Sequence, residues 1–169
     1  MAWHDLHAYW RDHHVDGRPP SRADIDPPVD MPWIAPNLML YDVPPTGFRL
    51  RLIGSELVRR AGKDLTGQVL DPARPSIMHI GPFLACLEKI VATRAPVLFS
   101  VARSPESPYG AIVLLLPLEK RGNVEMILGG CFYEPLPAHY VTNGWRPGAF
   151  AELVLEDELS RERGVRYCR

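Results

Sequence analysis

Residues Phe48 to Gln68, FRLRLIGSELVRRAGKDLTGQ, carry the signal that decides the fold. Arg49 and Arg51 alternate with Phe48, Leu50 and Leu52, the period of a half-buried strand, and Leu57, Val58 and Ala61 then recur at helical spacing. The side-chain period changes from two to about 3.6 within a dozen residues. This predicts a strand over 48–53, running through Gly54 into a short helix over 55–62. Gly54, Gly62 and Gly67 read as points of chain reversal.

Working outward, NLMLYDV predicts a strand over 37–43. Downstream, a long helix is expected to begin near Pro82, where a missing N–H is harmless, with Phe83, Leu84, Leu87, Ile90 and Val91 forming its apolar face. Three strands follow, Val97 to Arg103, Tyr109 to Leu118 and Asn123 to Tyr133, with Lys120-Arg121-Gly122 as the turn between the last two. The order of strand, strand, helices and three strands predicts an α+β domain: a five-stranded antiparallel sheet with helices on one face.

Upstream, Trp3, Leu6, His7, Trp10 and His14 share one stripe of an amphipathic helix over residues 3–14. Gly17-Arg18-Pro19-Pro20 ends it. The Pro- and Asp-rich stretch beyond reads as an ordered wrapping segment with a turn capped by Ser21 and with Ile25, Met31, Trp33 and Ile34 as apolar anchors. The chain divides into an N-terminal helix (1–18), a wrapping segment (19–36), a core (37–134) and a C-terminal extension (135–169). In the extension, Phe150, Leu153, Val154 and Leu159 predict a helix over 149–162, with a strand through 153–155 as the alternative.

Three blocks of sequence resemble a divergent bacterial family of stand-alone PAS proteins. They are Tyr9-Trp10, then Pro20-Ser21-Arg22-Ala23-Asp24-Ile25-Asp26-Pro27, then Tyr41-Asp42-Val43 leading into Phe48-Arg49-Leu50-Arg51-Leu52-Ile53-Gly54. With the apolar run Leu114 to Leu118 and the strand after it, the likeness covers roughly residues 6 to 140 in order. Ser55 stands where threonine is expected, and both can cap a helix. The resemblance implies a PAS-like fold and a non-enzymatic sensory or adaptor role, with output through an unknown signalling partner. It also implies a homodimer joined by the N-terminal helix, with Trp3, Leu6, His7, Trp10 and His14 as interface residues.

At 169 residues the chain can bury a core without a staple. A net charge of −1 removes the electrostatic case for nucleic-acid binding. Cys86, Cys131 and Cys168 lack metal or redox spacing and read as reduced thiols, which points to the cytoplasm. No run of eighteen apolar residues occurs, so no membrane insertion is expected.

The candidate chemistry is sparse. His79 could present an imidazole to haem iron, but Gly81-Pro82 breaks the register between it and Phe83, and a structural histidine is the favoured reading. Flavin photochemistry would need a cysteine in a motif that neither Cys86 nor Cys131 occupies. His7 and His14 lie about 10 Å apart along a helix, too far to share an ion, and His4 with His7 gives only two ligands, so no metal site is assigned. Asp24, Asp26, Asp42, Arg22, Arg49 and Arg51 read as structural ion pairs joining the strand arginines to the wrapping segment. No HExxH, Walker loop, GxSxG or dinucleotide fingerprint is present, and no catalytic residue is assigned.

An apolar pocket between sheet and long helix remains. Its candidate lining is His79, Phe83, Leu87, Phe99, Val101, Met126 and Leu128, with Val124 and Phe132 on the same face. The same residues suit a filled core, which is the favoured use. Two other classes stay open. A small isomerase or dehydratase would use His79 or Glu125, although Glu125 should point away. A purely structural partner-binding domain would hold no ligand.

Overall fold

The computed structural model describes residues 2–43, 45, 47–71, 80–102, 109–135, 150–153 and 166–167. Helix α1 (Ala2–Asp12) is followed by a short α2 (Pro27–Asp30) and a 3-10 turn (Ala35–Asn37). Strands β1 (Leu38–Asp42) and β2 (Arg49–Ile53) lead into α3 (Ser55–Ala61). Next come α4 (Ile80–Thr93) and the strands β3 (Val97–Ala102), β4 (Tyr109–Lys120) and β5 (Asn123–Pro135). Two short strands, β6 (Phe150–Leu153) and β7 (Arg166–Tyr167), complete the elements among the described residues.

The sheet is antiparallel in the order β2-β1-β5-β4-β3, the five strands expected, and β6 and β7 extend it beyond β3. In the C-terminal extension, Phe150–Leu153 form a strand paired with β3 where the helix over 149–162 was expected to begin. The rest of that expected helix and Cys168 lie outside the described residues. α4 starts two residues earlier than expected, with Pro82 in its first turn. Arg121 and Gly122 make the β4–β5 turn with φ of 54° and 80°, the double left-handed geometry of a two-residue hairpin loop.

Both faces of the sheet are buried, each under its own cover. On one face Met39, Tyr41, Leu50, Val97, Phe99, Val113, Leu115 and Ile127 pack with Leu57 of α3 and with Phe83, Leu87 and Ile90 of α4. On the other, Leu38, Leu40, Leu98, Ile112, Leu114, Leu116, Leu118 and Leu128 pack under Trp3, Leu6 and Trp10 of α1 and under Ile25, Met31 and Ile34 of the wrapping segment. Trp33, expected to anchor that segment, is instead 64% exposed. The Ser21 turn forms as read: Ser21 Oγ donates to Asp24 at 2.7 Å and accepts from the Ala23 N–H at 3.3 Å.

Two glycines are fixed by close approach. A Cβ on Gly54 would lie 2.3 Å from the Pro36 carbonyl oxygen, so the residue lets the 3-10 turn abut the β2–α3 junction; with φ of −68° it is not the left-handed reversal that Gly62 provides. A Cβ on Gly130 would lie 2.7 Å from Leu6 and 2.6 Å from Phe132, which is how α1 sits low on β5.

Candidate functional site

Of the expected pocket residues, the structure brings Phe83, Leu87 and Phe99 together. The Phe83 and Phe99 rings meet edge-on at 6.1 Å, and Tyr41 adds a third ring 5.7 Å from Phe83, an aromatic cluster of the kind that fills cores. The Tyr41 hydroxyl donates to Met39 Sδ at 3.2 Å. Burial, and then the nearby Cys131, push its pKa well up, so it stays a neutral phenol. Val101, on β3, pairs with Ala111 of β4, and its side chain lies outside the described residues, as does His79 altogether.

Met126 and Leu128, and Phe132 with them, face the other way, into the α1 layer. The cause is a bulge. Leu118 pairs with Met126 but Glu119 pairs with Val124, so Glu125 is an extra residue in β5. One inserted residue flips every side chain beyond it. Val124 therefore faces α4 as expected, and Ile127 and Cys131 take the places assigned to Met126, Leu128 and Phe132. Glu125 is half-exposed beside Lys120 and points away, as read.

The α1 stripe is used within the chain. Trp3, Leu6 and Trp10 are 7%, 0% and 4% exposed against the chain's own sheet, so they are core residues here and not surface anchors for a second copy. Trp10 Nε1 donates to the Pro117 carbonyl at 2.8 Å, bolting α1 to β4. The Tyr9 hydroxyl donates to Asp30 and accepts the Asp26 N–H at 2.9 Å, tying α1 to the wrapping segment. Burial, followed by the bond to Asp30, raises the Tyr9 pKa to about 12. His7 stacks on Trp10 at 5.9 Å, and His14 meets the same ring edge-on at 4.3 Å. Burial, then Arg11, lower the His14 pKa, and Glu119 opposes them.

Of the two strand arginines, Arg51 finds a nearer partner than the wrapping segment. Arg51 pairs with Asp42 across β1 and β2 at 3.4 Å, whereas Asp26 pairs with Arg22 at 3.8 Å and Asp24 accepts from Ser21. In α3, Glu56 accepts from Arg59 and Arg60 at 2.6–2.8 Å, which lowers its pKa to about 2. Arg60 also lies 3.6 Å over the Tyr133 ring.

Open clefts lie at both ends of the sheet. At one, Ala2, Pro36, Glu56, Arg60, Phe132 and Tyr133 border a groove of about 440 Å³. At the other, two adjoining clefts of about 190 and 470 Å³ share Arg18, Pro19, Glu119 and Gly122. Glu119 is the buried charged residue among those described, at 8% exposed. Its N–H donates to the Pro20 carbonyl at 3.0 Å, and its carboxylate lies 4.0 Å from Arg94 Nε, just past the end of α4. The two covers of the sheet meet there. Phe83, Leu87 and Phe99 border none of these clefts.

A sequence model of the PAS domain matches residues 1–132, from the first turn of α1 through most of β5. The chain belongs to the PAS domain family. No curated protein and no solved structure shows significant similarity to it. PAS domains are in general non-enzymatic signalling and sensory modules, and they often mediate dimerisation. The match takes in α1, the wrapping segment and Glu119, so the layer on the second face is part of this PAS domain. No helix among the described residues is long and apolar enough to cross a membrane.

Proposed function

We propose that this PAS domain is a non-enzymatic sensory or adaptor module of the cytoplasm that acts through protein–protein contact, with a second copy of itself and with a signalling partner. The family match across both layers supports this reading above all else. The packing of Tyr41, Phe83 and Phe99 between α4 and the sheet supports the filled core over an apolar pocket there. Cys86 and Cys131, buried as thiols in the aromatic face of the core, suit a reducing compartment.

Dimerisation on this reading uses a surface other than the buried Trp3 and Trp10. Sedimentation of the full chain tests it directly: a reversible monomer–dimer equilibrium is expected at micromolar concentration, and a monomer up to about 1 mM contradicts it. Native mass spectrometry separates the other classes, because an apolar molecule retained between α4 and the sheet returns the reading to ligand sensing or enzymic chemistry.

A further inference from the structure

Glu119 poses a physical problem that its own neighbours leave unsolved. A buried carboxylate needs donors, and it is costly to leave without them. Among the described residues two cationic partners face it: Arg94, whose Nε stands at 4.0 Å, beyond hydrogen-bond reach, and His14, whose charged form it favours, while the side chain is only 7% exposed. What exposure it has opens into the two clefts it borders. A donor entering from those clefts would reach it.

The surroundings specify the rest of such a molecule. Arg18, Arg94 and Arg121 border the same clefts, and so do the carboxylates Asp16 and Asp24. Asp24 is engaged by Ser21, and the guanidiniums of Arg18 and Arg121 form no ion pair with a carboxylate among the described residues. A plain anion would be drawn by these arginines but repelled by Glu119 and by the two aspartates at the rim. A plain cation would meet the opposite balance. A ligand matching one sign only is repelled by the groups of the other and forfeits much of what it gains. The complement is a molecule carrying both. The backbone is also bent around this site: Asp16, Arg94 and Arg121, the non-glycine residues with left-handed φ among those described (51°, 56° and 54°), all border it. Such positions are uncommon away from glycine and are held in place by their surroundings.

We infer that the Glu119 cleft binds a small zwitterion of the amino-acid class, its ammonium group donating to the Glu119 carboxylate and its acid group held by Arg18 and Arg121. A volume of about 470 Å³ is ample for an amino acid. The site lies apart from the α4 core and is read from the cleft alone. Its failure leaves the PAS reading standing, and a monomeric chain leaves the cleft standing.

The test titrates the full chain with L-glutamate, with glutarate as the same acid lacking the amine and with butylamine as the amine lacking the acid, following backbone amide shifts by NMR. Saturable shifts at Arg18, Glu119 and Gly122 are expected with glutamate, with glutarate and butylamine at least about tenfold weaker. Glu119→Gln should bring glutamate down to the level of glutarate, while Arg121→Gly, which keeps the left-handed turn, should weaken glutamate and glutarate together. An unchanged spectrum away from the cleft checks that each variant folds. No saturation by glutamate up to about 10 mM overturns the inference. So does glutarate binding as tightly as glutamate, preference for an acidic peptide over the free amino acid, or glutamate affinity indifferent to Glu119→Gln.

Discussion

On one face of the sheet the cover is α3 and α4, which follow β1 and β2 in the chain; on the other it is α1 and residues 19–36, which precede every strand. The first face is packed with aromatic rings, Tyr41, Phe83 and Phe99, and holds two thiols. The second is nearly all leucine and isoleucine on the sheet side, closed from above by tryptophans. The contrast shows that α1 is structural. Its apolar stripe has no second role while it covers Leu114, Leu116 and Leu128, because exposing that face would leave a large apolar patch in water.

The largest test of this contrast is Trp3→Ala combined with Trp10→Ala. A buried tryptophan truncated to alanine costs about 3–5 kcal/mol, and a domain holds only about 5–15 in all. Chemical denaturation should therefore find the double variant unfolded or near it. A folded monomer of normal stability would restore α1 to the role of a detachable interface. Next in size is Gly54→Ala, where the new Cβ meets backbone and the turn at Pro36 must move. A loss of several kcal/mol is expected, against a near-neutral change if that approach is loose.

How much of this was legible in the sequence depends on the element. The strand–glycine–helix switch at 48–62 and the Arg121-Gly122 turn are local chemistry, and both were readable. The facing of β5 was not, because Gly129 and Gly130 blur the alternation and the extra residue at Glu125 reverses its phase. The second cover did leave a signal. Ala111 to Leu118 shows no polar alternation, and a strand apolar on both sides needs two covers. Read that way, the α1 stripe belongs to the chain's own sheet. The importance of Glu119 had no such signal, since its burial arises where Pro20 and Arg94, distant in sequence, converge.

Smaller effects sharpen the same comparison. Tyr9→Phe removes the bond to Asp30 and weakens the acceptor for the Asp26 N–H, so urea titration should show a loss of about 1 kcal/mol. With the Tyr9 pKa raised to about 12, the stability it supplies is complete below its ordinary value of 10 and is lost as pH rises from there through about 12. That part of the alkaline decline should be missing in Tyr9→Phe. The smallest effect is at His14, whose pKa is lowered. The unfolded chain takes the proton first, so stability falls as pH drops below its ordinary 6.5. Thermal melts between pH 7.5 and 5.5 should show that slope, and it should flatten in His14→Gln.

Native-state hydrogen exchange of α1 tests the central claim most directly. If the N-terminal layer is the second half of the domain core, the amides of Leu6 to Trp10 open with nearly the same free energy as those of β4 and β5, at every protein concentration. Exchange of α1 by easy local opening while the sheet stays protected, or α1 protection that appears only as concentration rises, would contradict it.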